Sequence, residues 1–224
     1  MIKGIIFDLD GTLCDTLDDI RTGVNNTLER LGYSTRTRGE IHKFINNGAR
    51  ELIRRSLPKD VQGVDFIVDS ALTDYNMEYA KCFCDTTYPF DGIEELLIDL
   101  KNMGYKLSVL SNKQDEFVKE IISRLFGDDL FTVVMGQSSF PPKPDPSSTL
   151  YIAKMMGARP EQCIYVGDSD VDVETSYRAA MSFVGVGWGY REPEILKKAG
   201  ASVIASDTNE LLNAIIQLSA EDAE

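Results

Sequence analysis

Cysteine and histidine are scarce in this 224-residue chain, with four residues of the first and one of the second. Cys14, Cys82, Cys84 and Cys163 give no disulfide framework. The Cys82–Cys84 spacing is wrong for a zinc knuckle, and His42 alone cannot complete a typical zinc site. They read as reduced thiols of a cytoplasmic protein. Basic charge is short too: 23 lysines and arginines stand against 36 acids, a net of -13. Binding to nucleic acid or to anionic lipid needs a basic surface and is disfavoured. No stretch approaches the ~20 apolar residues of a membrane span, and the apolar run before Asp8 is too short for a signal peptide. The chain lacks Gly-x-Ser-x-Gly and the phosphate-loop consensus, and one histidine is a poor basis for a serine or cysteine triad.

Hydrophobic residues make up 43% and charged residues 26%, enough to bury a real core. The length suits one domain with a sizeable insertion, or two modest ones. Lys3 to Phe7 reads as a buried strand. Further short runs lie at Tyr105 to Leu110, Phe131 to Met135, Cys163 to Val166, Ser182 to Val186 and Ser202 to Ile204. Helical periodicity falls between them: Ile93, Leu96, Leu97 and Leu100; Phe117, Ile121, Ile122 and Leu125; Leu150, Ala153 and Lys154; Leu211, Leu212, Ile215 and Ile216. This alternation predicts an α/β fold with a parallel sheet. Residues 16 to 84 read as helices only, with Ile20, Val24, Leu28 and Leu31 on one face. The expected architecture is therefore an α/β core carrying an all-helical insertion after its first strand. Ser219 to Glu224 reads as a frayed acidic tail.

In an open parallel sheet, ligands bind beyond the carboxyl ends of the strands. There the sequence places Asp8 and Asp10, Ser111 and Asn112, Lys143, and the run Gly167 to Asp172. Asp8, Asp168 and Asp172, with Asp10 near them, cannot all ionise without a cation. One lysine is too little, and the oxygen ligand set favours Mg²⁺. Such a centre attracts a phosphate group, to which Gly11, Thr12, Ser111 and the turn amides offer donors. By elimination, the nucleophile is a carboxylate that forms an aspartyl-phosphate. Asp8 is the candidate, with Asp10 as general acid and base. Ser169 is undecided, Asp170 and Glu174 read as helix-start acids, and Trp188 reads equally as packing or rim.

The run Asp8-Leu-Asp-Gly-Thr-Leu-Cys-Asp15 resembles the first motif of the haloacid dehalogenase-like hydrolase superfamily. Ser111-Asn112, Lys143 and Gly167-Asp168 through Asp172 resemble its second, third and fourth motifs, in order. Residues 16 to 85 are similar to the helical cap of the phosphoglycolate phosphatase-like branch. Phe44 to Ala49 resembles the cap loop, and Val186 to Tyr190 the late core segment. The resemblance implies a Rossmann-like core of residues 1–15 and 86–224 with the cap between. It implies a Mg²⁺-dependent phosphatase acting on a small phosphorylated metabolite, phosphoglycolate first, as a cytoplasmic monomer or homodimer. Asp8 is then nucleophile and metal ligand, Asp10 the acid/base with its main-chain carbonyl on the metal, and Asp168 the remaining ligand. Ser111, the Asn112 amide and Lys143 hold the phosphoryl group. Asp172 orients Lys143 or a metal-bound water, and Thr12 supports Asp10. The cap offers Asn47, Gly48 and either Arg50 or Lys43 to the substrate. Cys14 departs from the apolar residue expected there and reads as core packing. A pyrophosphatase or a sugar phosphomutase of the same superfamily is an alternative. So is a receiver-like phosphate-sensing module, although the inserted cap and the acid two residues after Asp8 speak against it.

Overall fold

The computed structural model describes residues 1–221. The first apolar run forms β1 (Gly4–Phe7), and a tight loop leads to the two-residue β2 (Cys14–Asp15). Helices alone follow: α1 (Leu17–Arg30), α2 (Arg38–Phe44), α3 (Ala49–Ser56) and α4 (Asp65–Tyr79). After β3 (Tyr88–Pro89) the elements are α5 (Ile93–Asn102), β4 (Lys106–Gln114), α6 (Asp115–Phe126), β5 (Val133–Gln137) and α7 (Ser147–Met155). Then come β6 (Cys163–Gly167), α8 (Asp170–Arg178), β7 (Ser182–Val186), α9 (Pro193–Ala199), β8 (Ile204–Ala205) and α10 (Thr208–Glu221). Two compact units emerge, one of Met1–Cys14 with Pro89–Glu224, the other of Asp15–Tyr88.

The larger unit holds a six-stranded sheet in the order β5-β4-β1-β6-β7-β8, parallel at each neighbouring pair. This is the α/β parallel-sheet core expected from the alternating pattern. A strand flanked on both sides and covered on both faces must be apolar throughout, and Ile5, Ile6 and Phe7 are fully buried. Ile6 packs with Leu110, Ile152 and Tyr165 on one such face. Each large apolar side chain so placed contributes about 1.5–3 kcal/mol. Chain order reverses around β1, which pairs with β4 on one side and β6 on the other. The carboxyl ends of these three strands therefore form the crevice where ligands bind in such sheets.

In the helical unit, α1 buries Leu17, Ile20, Val24 and Leu28 along one stripe. In α4, Tyr75 stacks on Tyr79 at 5.3 Å. Thr37 and Glu40 close a reciprocal capping box at the start of α2, satisfying amides that the helix leaves unpaired. The Asp19 carboxylate, buried, accepts from the backbone and hydroxyl groups of both Thr86 and Thr87.

Three local expectations are corrected. Strand β4 continues through Ser111, Asn112 and Lys113 to Gln114, with a register irregularity after Leu110. In α7 the buried face is Ser148, Thr149, Ile152 and Ala153, and Leu150 is exposed, because Ile152 and Ala153 belong to the sheet-facing cluster and set the helix's rotation. Ser219 is not frayed: it lies in α10 and its hydroxyl accepts from that of Tyr105 at 2.8 Å. Residues 222–224 of the expected tail lie outside the described residues. Among the described residues, no helix is long and apolar enough to cross a membrane, and no disulfide joins the four cysteines.

Candidate active site

Asp8 follows β1 directly, and its backbone N–H extends the ladder to the Val166 carbonyl at 2.9 Å. That pairing sets it beside Gly167-Asp168 at the end of β6. Asp8, Asp168 and Asp172 each offer an oxygen within 4.8 Å of the others, and all three residues are buried.

Asp172 owes its orientation to a helix cap. Ser169 is the N-cap of α8, and its hydroxyl accepts from the Asp172 N–H while Asp172 Oδ2 accepts from the Ser169 N–H and hydroxyl. A capping box with Asp at its third position thus leaves Oδ1 aimed at Lys143, 2.7 Å away. The Lys143 ammonium donates equally to Asp8 Oδ1 at 2.8 Å and reaches the Tyr165 hydroxyl at 3.1 Å. Its backbone is clamped by Asn112, whose side-chain amide both accepts from Lys143 N–H and donates to Lys143 C=O. The Asn112 side chain is therefore committed to Lys143.

Asp10 lies two residues beyond Asp8, and Lys113 donates to its Oδ1 at 2.6 Å while the Ser111 hydroxyl donates to Oδ2 at 3.3 Å. Sequence reasoning missed Lys113 and Tyr165. The signal for Lys113 was the period-two offset from Ser111, which puts both on one side of the strand. Thr12 is buried, and its hydroxyl donates to Asp168 Oδ1 at 3.4 Å. Gly11 has φ 88°, and a β-carbon there would lie 2.5 Å from Asp168 Oδ2. No other residue type fits this turn. Cys14 is fully buried, as expected of core packing.

Burial drives the Asp8 carboxyl well above the ordinary carboxylate range, against the pull of Lys143, and the charges of Asp172, Asp168 and Asp10 push the same way. Burial, with Asp172, holds Asp168 up to about 7 despite the hydrogen bond from the Tyr190 amide. Burial alone would lower the Lys143 ammonium, but Asp172 and Asp8 more than offset it and keep it charged. Four carboxyl groups thus face two ammonium groups, and with all four ionised one divalent cation would make up the difference. Every donor is oxygen, which suits a hard ion.

The candidates of the helical unit are engaged within it. Asn47 Oδ1 accepts from Arg55 at 3.0 Å, and Gly48 is the N-cap of α3. Arg50 donates to Asp69 at 2.7 Å and to Asp65 at 2.8 Å.

The chain as a whole is similar to known proteins. A phosphoglycolate phosphatase of Colwellia psychrerythraea is 33% identical over 213 residues, 93% of this chain and 94% of that protein. One of Aquifex aeolicus is 33% identical over 190 residues, 84% of this chain and 86% of its own. A solved structure from Lactobacillus delbrueckii subsp. bulgaricus, assigned as a phosphoglycolate phosphatase, superposes with a TM-score of 0.88 at 31% identity, covering 95% of this chain and 98% of its own. The family model described as haloacid dehalogenase-like hydrolase matches residues 5–186, a span that begins in β1 and ends with β7 and so takes in the whole acid cluster. The chain belongs to that hydrolase family.

Proposed function

We propose that this phosphatase works through an aspartyl-phosphate on Asp8 and hydrolyses a small phosphorylated metabolite, phosphoglycolate first, in the cytoplasm. The observation that carries the reading is the convergence of Asp8, Asp168 and Asp172 within 4.8 Å, with Lys143 bonded to the first and last.

Asp8, Asp168 and the main-chain carbonyl of Asp10 would hold Mg²⁺. Asp172 suits this less, its Oδ1 being paired with the Lys143 ammonium and its Oδ2 taking two donors of Ser169, whereas each Asp168 oxygen meets one neutral donor. When bound, the ion supplies the missing positive charge and draws electron density from the phosphoryl oxygens. Lys143 fixes Asp8 through Oδ1, and a carboxylate oxygen of Asp8 attacks phosphorus as the bond to the leaving oxygen breaks. Asp10 gives its proton to that oxygen. In the second half, water attacks phosphorus, Asp10 takes the water's proton, and the bond to Asp8 breaks to release phosphate. Ser111, the backbone amide of Asn112, and Lys143 are assigned to the phosphoryl oxygens; the Gly11 amide, expected among these donors, is taken by the Cys14 carbonyl at 2.9 Å. Thr12 supports the site through Asp168.

The helical residues 16–85 are read as the cap domain, with the core in residues 1–15 and 86–224. Substrate contacts from Asn47, Gly48 and Arg50 are assigned with it, and a rise in KM at unchanged kcat on their substitution is the test. The function itself is tested by phosphate release from p-nitrophenyl phosphate and phosphoglycolate with Mg²⁺. Asp8→Asn is expected to lose on the order of 10⁴-fold or more in kcat. Equal turnover by both proteins would remove Asp8 from the chemistry.

A further inference from the structure

The segment of residues 187–190 leaves β7 and is anchored by the Gly187 N–H on the Ala205 carbonyl at 2.8 Å. Trp188 Nε1 donates to the Thr12 carbonyl at 3.1 Å. The Tyr190 N–H donates to Asp168 Oδ2 at 2.7 Å. Between them, Gly189 lies so close that a β-carbon would sit 2.2 Å from Asp168 Cβ and 2.5 Å from the Gly11 carbonyl oxygen. Asp168 has no exposed surface. One of its oxygens therefore answers to Tyr190 and the other to Thr12, while Trp188 holds the turn that carries Thr12.

We propose that this segment is a positioning strap: it fixes the Asp168 carboxylate so that Mg²⁺ meets an oriented ligand. It touches neither substrate nor reacting atoms. The inference rests on the reading of Asp168 as a Mg²⁺ ligand. A carboxylate held by two donors has lost its rotational freedom before the ion arrives, so ion binding no longer bears that cost. Outer partners of this kind set ligand orientation and typically govern metal affinity by 10–100-fold. Gly189 is required because any side chain would displace the residue the strap is meant to hold.

The test is a calorimetric Mg²⁺ titration of the full chain as wild type, Gly189→Ala and Trp188→Phe, with kcat measured at saturating Mg²⁺. Gly189→Ala is expected to weaken Mg²⁺ binding by about 10–100-fold. Its kcat at saturating ion should stay within about threefold of wild type, since only the ion-binding step has been altered. Trp188→Phe removes one indirect bond and is expected to weaken binding in the same direction by about threefold or more. In the wild type, the emission of Trp188, the single tryptophan, should change over the same ion concentrations. Circular dichroism of the metal-free proteins checks the fold, and Trp188→Phe carries the test if Gly189→Ala does not fold. Folded variants that bind Mg²⁺ like wild type would overturn the strap, as would a loss confined to kcat at saturating ion. A wild type that takes up no Mg²⁺, or an Asp168→Asn that binds it unchanged, would overturn the metal reading instead.

Discussion

Two ionic networks in this chain have nearly the same bond lengths and opposite physics. In the larger unit, Lys143 lies 2.8 Å from Asp8 and 2.7 Å from Asp172, with side chains 4%, 11% and 0% exposed. In the helical unit, Arg50 lies 2.8 Å from Asp65 and 2.7 Å from Asp69, with side chains 41%, 74% and 57% exposed. Around Arg50, water screens every charge, and the pairing holds the Asp65 carboxyl below its usual range. Around Lys143, desolvation outweighs the pairing, and the Asp8 carboxyl is driven upward. Distance alone therefore does not rank the two networks; solvent does. The buried one is a reservoir of uncompensated negative charge, which suits a centre that takes up a cation. The exposed one fastens α3 to α4.

The comparison breaks most sharply at Lys143. Lys143→Met leaves Asp8 and Asp172 facing each other in a dry pocket. The cost is expected to be about 3–5 kcal/mol of folding stability near neutral pH, as for other buried pairs that lose one partner. Urea denaturation measures it. A loss under about 1 kcal/mol would mean that the pocket is wetter than its burial implies.

Asp19 is the corresponding test within the helical unit. It is a buried carboxylate satisfied by neutral donors from Thr86 and Thr87, with no ammonium among these partners. Asp19→Ala orphans several of those donors and is expected to cost about 3 kcal/mol, whereas Asp19→Asn keeps one acceptor and should cost roughly half as much. Equal costs would show that packing around residue 19 matters and its hydrogen bonds do not.

A smaller effect separates charge from packing at Asp168. Its carboxyl is held up to about 7, against an ordinary value near 3.9. The folded protein then binds this proton more tightly than the unfolded chain does. The stability contributed by the protonated form is complete below about pH 4 and is lost as pH rises towards 7. In metal-free protein, Asp168→Asn should therefore gain on wild type by a few degrees in Tm between pH 5 and pH 8. Mg²⁺ should stabilise wild type more at pH 8 than at pH 5, and Asp168→Asn hardly at all. A pH-independent difference between the two proteins would remove charge from the account.

How much of this was readable beforehand depends on the range over which each residue acts. Asp8 and Asp168 were legible because buried parallel strands are apolar, so the first polar residues at their ends stand out; Ser111, inside β4, and Lys143, six residues past the end of β5, were placed by the order of the motifs. The α/β core followed from the same alternation. Tyr165 was not legible, because inside a buried strand a tyrosine reads as one more apolar residue until a partner for its hydroxyl is known. The Trp188 bond to Thr12 joins positions 176 apart, and no local pattern encodes it. The face of α7 was misread because Leu150 and Ile152 lie on different sides of a short helix, and only the sheet decides between them.

Arg50 bears the smallest expected effect, and it completes the comparison. Its guanidinium is raised above its ordinary value by the hydrogen bonds it donates to Asp69 and Asp65. That shift describes a charge already present at every accessible pH, so it adds no pH dependence near neutrality. Both partners are solvated, and fixing two long side chains carries an entropic cost that offsets the attraction. Arg50→Ala is therefore expected to move Tm by no more than about 2 °C at 0.15 M salt, and by less still at 1 M, where the screening length falls to about 3 Å. Differential scanning calorimetry at the two salt concentrations decides it. A large, salt-insensitive loss would place Arg50 in the same class as Lys143 and dissolve the distinction drawn from solvent.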